Sequence, residues 1–320
     1  MGATTGETLR VRFAAEPVSV SAARRFVTDG LVSWDRHALI DSATLCVSEL
    51  AGNAALHAAS TFMEVALQPR GQAVRVSVED DGAVPATVVA PRATFTEQDG
   101  VDGMSLDHEP TTGRGLAIVS VLARDWGVEH TPEGKRVWAE LTEDEPEHEV
   151  AGPTVEPLDD PVPTDGALPP GWTLVRLAGC PVELSLRQDE HLDELVRELQ
   201  LISADPGNTR SRALATQIQD LLISPAHARF TGRRTAEQAA AAGLRIVDID
   251  MAMPHEFGSM VRRLHEAVTA ADELCEQMEL LTLASAPEIR ALRAWMSGEL
   301  VGQIEDGRPP LSWDDWLRGC

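Results

Sequence analysis

Cysteine is scarce in this chain and unpatterned: Cys46, Cys180, Cys275 and Cys320 are scattered, with no C-x-x-C pair. That spacing supports neither a zinc site nor a disulfide framework and suits the reduced, buried thiols of a cytosolic protein. Also lacking is any uncharged apolar run near the roughly 20 residues needed to span a bilayer. Residues 1–17 show no basic region followed by an apolar core, the mark of a signal peptide. The sequence therefore reads as soluble and cytoplasmic, with no membrane partner. Basic residues are the last shortage: 27 Lys and Arg stand against 51 Asp and Glu, a formal charge of -24, and Lys135 is the only lysine. Affinity for duplexes rests largely on neutralising phosphates with Lys and Arg, so direct nucleic-acid binding is not expected.

What is present is enough for two folded cores. The chain has 320 residues, 43% of them hydrophobic, and a typical domain takes on the order of 100–200 residues. Residues 1–142 carry 12 basic and 19 acidic groups, residues 169–320 carry 15 and 23, and 143–168 carry nine acids and no base. That middle stretch also holds Pro146, Pro153, Pro157, Pro161 and Pro163, so it reads as an extended acidic linker without a core. A polyanionic ligand must bring its own cation to such a protein, or meet a local array of backbone N–H groups.

In the first domain, residues 8–16 alternate as a half-buried strand, and Ser19 to Trp34 has helical spacing, with Ser19 or Ser21 as its cap. A second helix follows over Ser42 to Ala58, capped by Asp41 or Ser42, with Leu45, Val47, Leu50, Ala54 and Ala58 as its apolar face. Two strands, Phe62–Leu67 and Ala73–Glu79, flank a turn at 68–71. Residues 86–112 form a long lid-like loop. It ends in a glycine turn, Gly113-Arg-Gly115, that opens an apolar helix. Strands at 126–130 and 136–141 close the domain. Helices segregated on one face of a mixed or antiparallel sheet make an α+β two-layer sandwich.

Three pieces of this domain carry chemistry. Glu49 and Asn53, four apart, stack on one side of the second helix. Taken alone, they are equally well read as polar residues of a partly exposed helix. Asp80 and Gly82 form an acid–glycine turn directly after a strand, which in most proteins is only a strand end. Thr112-Gly-Arg-Gly-Leu116 opens a helix, where a lone G-x-G is more often a tight turn. Together, and in this order, they suit a nucleoside triphosphate. Asp80 accepts from the exocyclic amine of adenine, and Gly82 lets the flat base approach the backbone. The N–H groups at Gly113 to Leu116 offer positive potential to phosphates. Asn53 supplies a hard oxygen ligand to Mg²⁺, and Glu49 orients or deprotonates an attacking hydroxyl. Asp81 reads as solvated, and His57 as packing or hydrogen-bonding.

SELAGNAALHA, the Asp80-x-Gly82 turn and TGRGLAIVSVLA resemble the three motifs of the GHKL superfamily of ATP-binding folds. Within it, residues 8–142 are most similar to the anti-sigma-factor serine kinases. The resemblance implies a Bergerat-type sandwich binding ATP and Mg²⁺. Glu49 then falls at the catalytic base, Asn53 at the Mg²⁺ ligand and Asp80 at the adenine contact, with Gly82, Thr112, Gly113, Arg114, Gly115 and Leu116 as further nucleotide-binding positions. It also implies an ATP-dependent serine protein kinase that phosphorylates an anti-anti-sigma partner of the STAS type and sequesters a sigma factor. Two positions depart from the family's pattern: Val84 stands near a usual second glycine, and Arg136-Val137 where relatives carry an adenine-holding threonine. The alternative is a nucleotide-gated regulatory binding protein without kinase turnover. A sensor histidine kinase lacks its dimerising helix pair here, and a topoisomerase or repair ATPase conflicts with charge and size.

Residues 169–320 carry no motif that reads as chemistry. A strand or two is expected over Trp172 to Leu186 and helices thereafter: His191–Ile202, Ser211–Ile223, Thr235–Ala242, Phe257–Leu283 and Ala286–Ile304. His191 with Glu194, and His265 with Glu266, are expected on charged helix faces. Asp272, Glu273, Glu276 and Glu279 read as one solvated face, and Met251, Met253, Met260 and Met278 as core filling. This second domain is expected to serve regulation, interaction or homodimerisation.

Overall fold

The computed structural model describes residues 7–57, 60–82, 112–132, 134–143, 166–203, 214, 218, 221, 226–277 and 282–319. It divides into two compact units, Met1–Pro170 and Gly171–Cys320.

The first unit runs β1 (Leu9–Ala14), α1 (Ser19–Ser33), a 3-10 turn (His37–Leu39), α2 (Ile40–His57), β2 (Phe62–Arg70), β3 (Ala73–Asp80), α3 (Thr112–Leu122), β4 (Asp125–Thr131) and β5 (Gly134–Leu141). Its five strands pair antiparallel in the order β1-β2-β3-β5-β4. The expected α+β sandwich is present. Alternation gives the sheet two different faces. Leu9, Val11, Phe13, Met63, Val65, Leu67, Val76 and Val78 are buried on the face that meets the helices. Helix α1 approaches that face so closely that a Cβ on Gly30 would stand 2.6 Å from Leu67 Cδ1 and 2.8 Å from Leu9 Cδ1. The other face is a lattice of ion pairs. Arg10 meets Glu64 at 2.6 Å, Arg75 meets Glu140 at 3.4 Å, and Arg136 bridges Glu79 and Glu129. Arg75 lies 3.8 Å over the ring of the fully buried Trp138.

Several local expectations are corrected. Val18, without a side-chain hydrogen bond, precedes α1, so neither Ser19 nor Ser21 caps it. Asp41 sits inside the first turn of α2, where its charge favours the helix dipole, because the 3-10 turn feeds directly into that helix. Leu45 is exposed; the buried stripe of α2 is Ala43, Cys46, Val47, Leu50, Ala51 and Ala54. At the end of the acidic linker, Ala167 exchanges backbone hydrogen bonds of 3.0 Å with Arg10 and Thr8, which fastens it to the edge strand β1. Of the expected lid over 86–112 only Thr112 is described, as the first residue of α3; the rest, with Val84 and most of the linker, lies outside the described residues.

The second unit comprises β6 (Trp172–Pro181), α4 (Val182–Ser203), α5 (Ala226–Ala241), β7 (Ile246–Pro254), α6 (Phe257–Glu276), α7 (Pro287–Asp306) and α8 (Trp313–Gly319). The largely helical expectation holds with two corrections: α4 begins at Val182, inside the stretch expected as strand up to Leu186, and the unexpected β7 pairs antiparallel with β6 across a bulge between Leu177 and Cys180. At that bulge Gly179 takes φ +66°, and its N–H donates to Asp248 at 2.8 Å. Helix α5 starts at Ala226, ahead of the expected Thr235, and α6 stops at Glu276. Pro287 opens α7, and Gly307, at φ +61°, closes it in the left-handed conformation that glycine adopts without strain. Val175, Leu177, Ile249, Met251, Met253 and Trp295 form one core; Leu195, Ile218, Val268 and Leu274 form another.

Asp272 overturns the expected solvated face. It is 3% exposed and bound by Arg293, while Ser285 donates its N–H to Oδ1 at 2.8 Å. His191 also turns inward, 3.6 Å from Asp272. Glu273 and Glu276 are exposed as expected, and Glu279 and Met278 lie outside the described residues. No described helix is long and apolar enough to cross a membrane.

Candidate functional site

Helix α2 carries the first part of the site. Cys46, one turn before Glu49, is buried, and its thiol is pushed up to about 12 by burial and then by the charge of Glu49. That thiol is no nucleophile at neutral pH. Glu49 and Asn53 are half-buried and rise on the side of the helix facing α3.

The meeting point is Gly115. A Cβ there would stand 2.6 Å from Glu49 Oε2 and 3.6 Å from Asn53 Nδ2. The missing side chain is what lets α3 seat its N-terminal turn against this acid and amide. The sequence suggested a glycine turn ahead of the helix, yet α3 begins at Thr112, so Gly113 and Gly115 lie within its first turn. The first four N–H groups of a helix have no partner inside it, and they attract anions. Leu116 is partly buried in the same turn. The side chains of Thr112, Arg114 and His57 lie outside the described residues.

Asp80 closes β3 and is 4% exposed. Its Oδ1 accepts from Ser60 Oγ at 3.0 Å and from the Gly82 N–H at 3.1 Å, while Lys135 Nζ stands 3.4 Å from Oδ2. Register explains the last contact: Asp80 is directly opposite Lys135 on β5, so both point toward the helices. Asp81, expected to be merely solvated, is exposed but useful: its Oδ1 accepts the N–H groups of Thr61 at 2.7 Å and Phe62 at 3.2 Å, pinning the start of β2. Arg136 points to the opposite face, into its pairs with Glu79 and Glu129.

The structure thus joins Glu49, Asn53 and Gly115 directly, and sets Asp80 and Gly82 at the end of a strand beneath α2. Ser60 and the Lys135 contact were missed by sequence reasoning. The one lysine of the chain, next to Arg136-Val137 at the start of the closing strand, was the available signal for the latter. No described group of three or more His, Cys, Asp or Glu side chains could hold a metal alone. A cation at Asn53 would therefore take its remaining ligands from phosphates and water, the usual habit of Mg²⁺. The residues present fit that arrangement: a side-chain amide beside a helix N-terminus cleared of its Cβ.

A helix-covered antiparallel sheet, with an acid at a strand end and an acid–amide pair against a helix N-terminus, makes the first unit an α+β sandwich. Residues 13–141 match the family model of the histidine kinase-like ATPase domain. No curated protein matches the chain.

Proposed function

We propose that the first unit is an ATP-dependent serine kinase that phosphorylates an anti-anti-sigma protein of the STAS type and sequesters a sigma factor when that partner is modified. The observation carrying this reading is the approach of Gly115 to Glu49 and Asn53. It sets a candidate base, a candidate Mg²⁺ ligand and a phosphate-binding helix terminus within one small volume. Asp80 and Gly82 hold the adenine, and the α3 N-terminus with Thr112, Gly113 and Arg114 faces the phosphates. Asn53 would hold Mg²⁺, which would neutralise charge on the phosphates. The serine oxygen of the partner attacks the γ-phosphorus, ADP departs, and the serine proton passes to the Glu49 carboxylate.

The test is a pull-down with and without Mg-ATP, followed by incubation of each captured protein with γ-labelled ATP and analysis for phosphoserine. A labelled serine on a captured partner supports the proposal. Saturable ATP binding with no label on any captured protein replaces it with a nucleotide-gated binding function, whose output is partner capture alone.

Two substitutions probe the site's geometry. Gly115→Ala places a methyl against Glu49 Oε2, the end of a flexible side chain, so the carboxylate shifts while the backbone stays. Stability should hold or rise by up to about 1 kcal/mol through helix propensity. Transfer should fall about a hundredfold, because a misplacement near 1 Å is that costly. Thermal unfolding and initial rates read the two effects separately. Lys135→Met removes the cation from Asp80 Oδ2 and leaves that oxygen to the adenine amine. Calorimetry should show ATP binding about threefold tighter or more, the value of one hydrogen bond.

A further inference from the structure

The second unit contains a pocket of about 150 Å³ bounded by β6, α4, α5, β7, α6 and α7. Its walls are chiefly apolar, with Leu177, Met251, Met253, Val261, Met296 and Leu300 among them. Polar side chains line it as well, and four of them have a buried atom without a hydrogen-bond partner among the described residues: Gln188 Oε1, Asp189 Oδ2, His265 Nδ1 and Arg293 Nε. Arg293 is itself only 6% exposed. Buried polar atoms are paired in nearly all native structures, by protein, water or ligand. Four such atoms among the lining residues of one apolar pocket point to something that enters it.

The charges around the pocket decide what kind of molecule this is. Arg229 meets Asp189 at 2.6 Å and Asp193 at 2.5 Å, and Arg233 meets Asp193 at 3.1 Å and Glu237 at 3.0 Å. Arg293 is bound to Asp272. Every guanidinium on the lining already has its carboxylate, so an anionic ligand would find no free countercharge. Burial, and then the charge of Arg293, hold His265 below the usual imidazole range against the weaker opposing pull of Glu266, so His265 faces the pocket neutral. The set is then one certain donor, the Arg293 Nε–H, and acceptors in the Gln188 carbonyl, the imidazole and Asp189 Oδ2, whose charge is already met by Arg233 Nε at 3.6 Å. A hydroxyl both accepts and donates; a ketone only accepts, and an amine would bring charge. Apolar cavities of about 150 Å³ admit a benzene ring.

We propose that this pocket binds a compact, uncharged, mostly apolar molecule bearing a hydroxyl group, of the small phenol or alcohol class. The site is independent of the nucleotide reading of the first unit. Phenol is the probe, titrated into the full chain carrying methyl-labelled methionine and followed by NMR. The methyl signals of Met251, Met253 and Met296 should shift saturably, while that of Met63 in the first unit should not move. Toluene should bind about fivefold more weakly for want of the hydrogen bond, and benzoate more weakly than either. Gln188→Met keeps the side-chain length and should bring phenol down to the affinity of toluene. Gly232→Leu should abolish the shifts, since Gly232 lines the pocket and a Cβ there has nothing nearer than 3.8 Å to obstruct a larger side chain. The absence of a saturable shift at the pocket methyls overturns the proposal. So does benzoate binding as tightly as phenol, or a phenol-to-toluene ratio unchanged by Gln188→Met. The Gln188→Met ratio decides alone if Gly232→Leu does not fold.

Discussion

Glu49→Gln is expected to slow phosphoryl transfer to the partner serine by about 10²–10⁴-fold, the usual contribution of a positioned general base. ATP affinity should change by less than about threefold, because the amide keeps the length of the acid and loses no adenine or phosphate contact. The substitution is close to isosteric, so the approach of Gly115 to this side chain persists. What disappears is the capacity to take the serine proton. Asn53→Ala provides the contrast: it removes the candidate metal ligand, so ATP affinity and its dependence on Mg²⁺ should fall together with the rate. Single-turnover assays with γ-labelled ATP separate chemistry from binding. A Glu49→Gln protein transferring phosphate at the wild-type rate would remove this residue from the mechanism. The neighbouring thiol offers a second readout. Burial, with Glu49 beside it, pushes Cys46 up to about 12, so loss of the negative charge should lower the Cys46 pKa toward what burial alone imposes. Thiol alkylation rates measured against pH report that shift.

What could be read from the sequence was what depends on near neighbours along the chain. The four-residue spacing of Glu49 and Asn53 on one helix, the strand over 73–79 and the helix over 286–304 depend on local pattern, and the structure has each of these elements. What stayed hidden depends on contacts between distant residues. Strand β7 carries Asp248 and Asp250 where an isolated strand would favour β-branched or aromatic residues. Those acids are tolerated because Gly179 donates its N–H to Asp248, and Arg176 pairs with Asp250 at 2.6 Å. The contact of Lys135 with Asp80 follows from the β3–β5 register, across 55 residues of chain. Leu45 belongs to the helical pattern of α2 by spacing, yet it falls outside the arc covered by the sheet and α1. Asp272 belongs by pattern with Glu273 and Glu276 on α6, and only the placement of Arg293 on α7 makes its burial tolerable.

That last pair carries the largest expected effect on stability. Asp272→Ala leaves the Arg293 guanidinium buried with Ser285 Oγ at 3.1 Å as its remaining hydrogen-bond partner, and it strips the acceptor from the Ser285 N–H. Breaking a buried ion pair from one side costs about 3–5 kcal/mol, a large share of the roughly 5–15 kcal/mol that holds a domain folded. The loss should appear as faster amide exchange across α6 and α7, while the amides of the five-stranded sheet keep their protection. Replacing both partners, as Asp272→Leu with Arg293→Met, should recover most of the deficit, since paired removal leaves no charge stranded. Acid should mimic the single substitution. Burial would raise the Asp272 carboxyl, but hydrogen bonds from His191 and Ser285 and the charge of Arg293 outweigh it and hold the group below the usual carboxylate range. A depressed native value means that the unfolded chain takes up the proton first. The contribution of this group is therefore complete above about pH 4, near the unperturbed aspartate value, and is lost progressively as the pH falls further. Below that pH the wild-type second unit should approach the exchange behaviour of Asp272→Ala, and the paired Asp272→Leu, Arg293→Met variant should lose this part of its acid sensitivity. Equal acid sensitivity of those two proteins in the α6–α7 amides would show that the ion pair does not govern it.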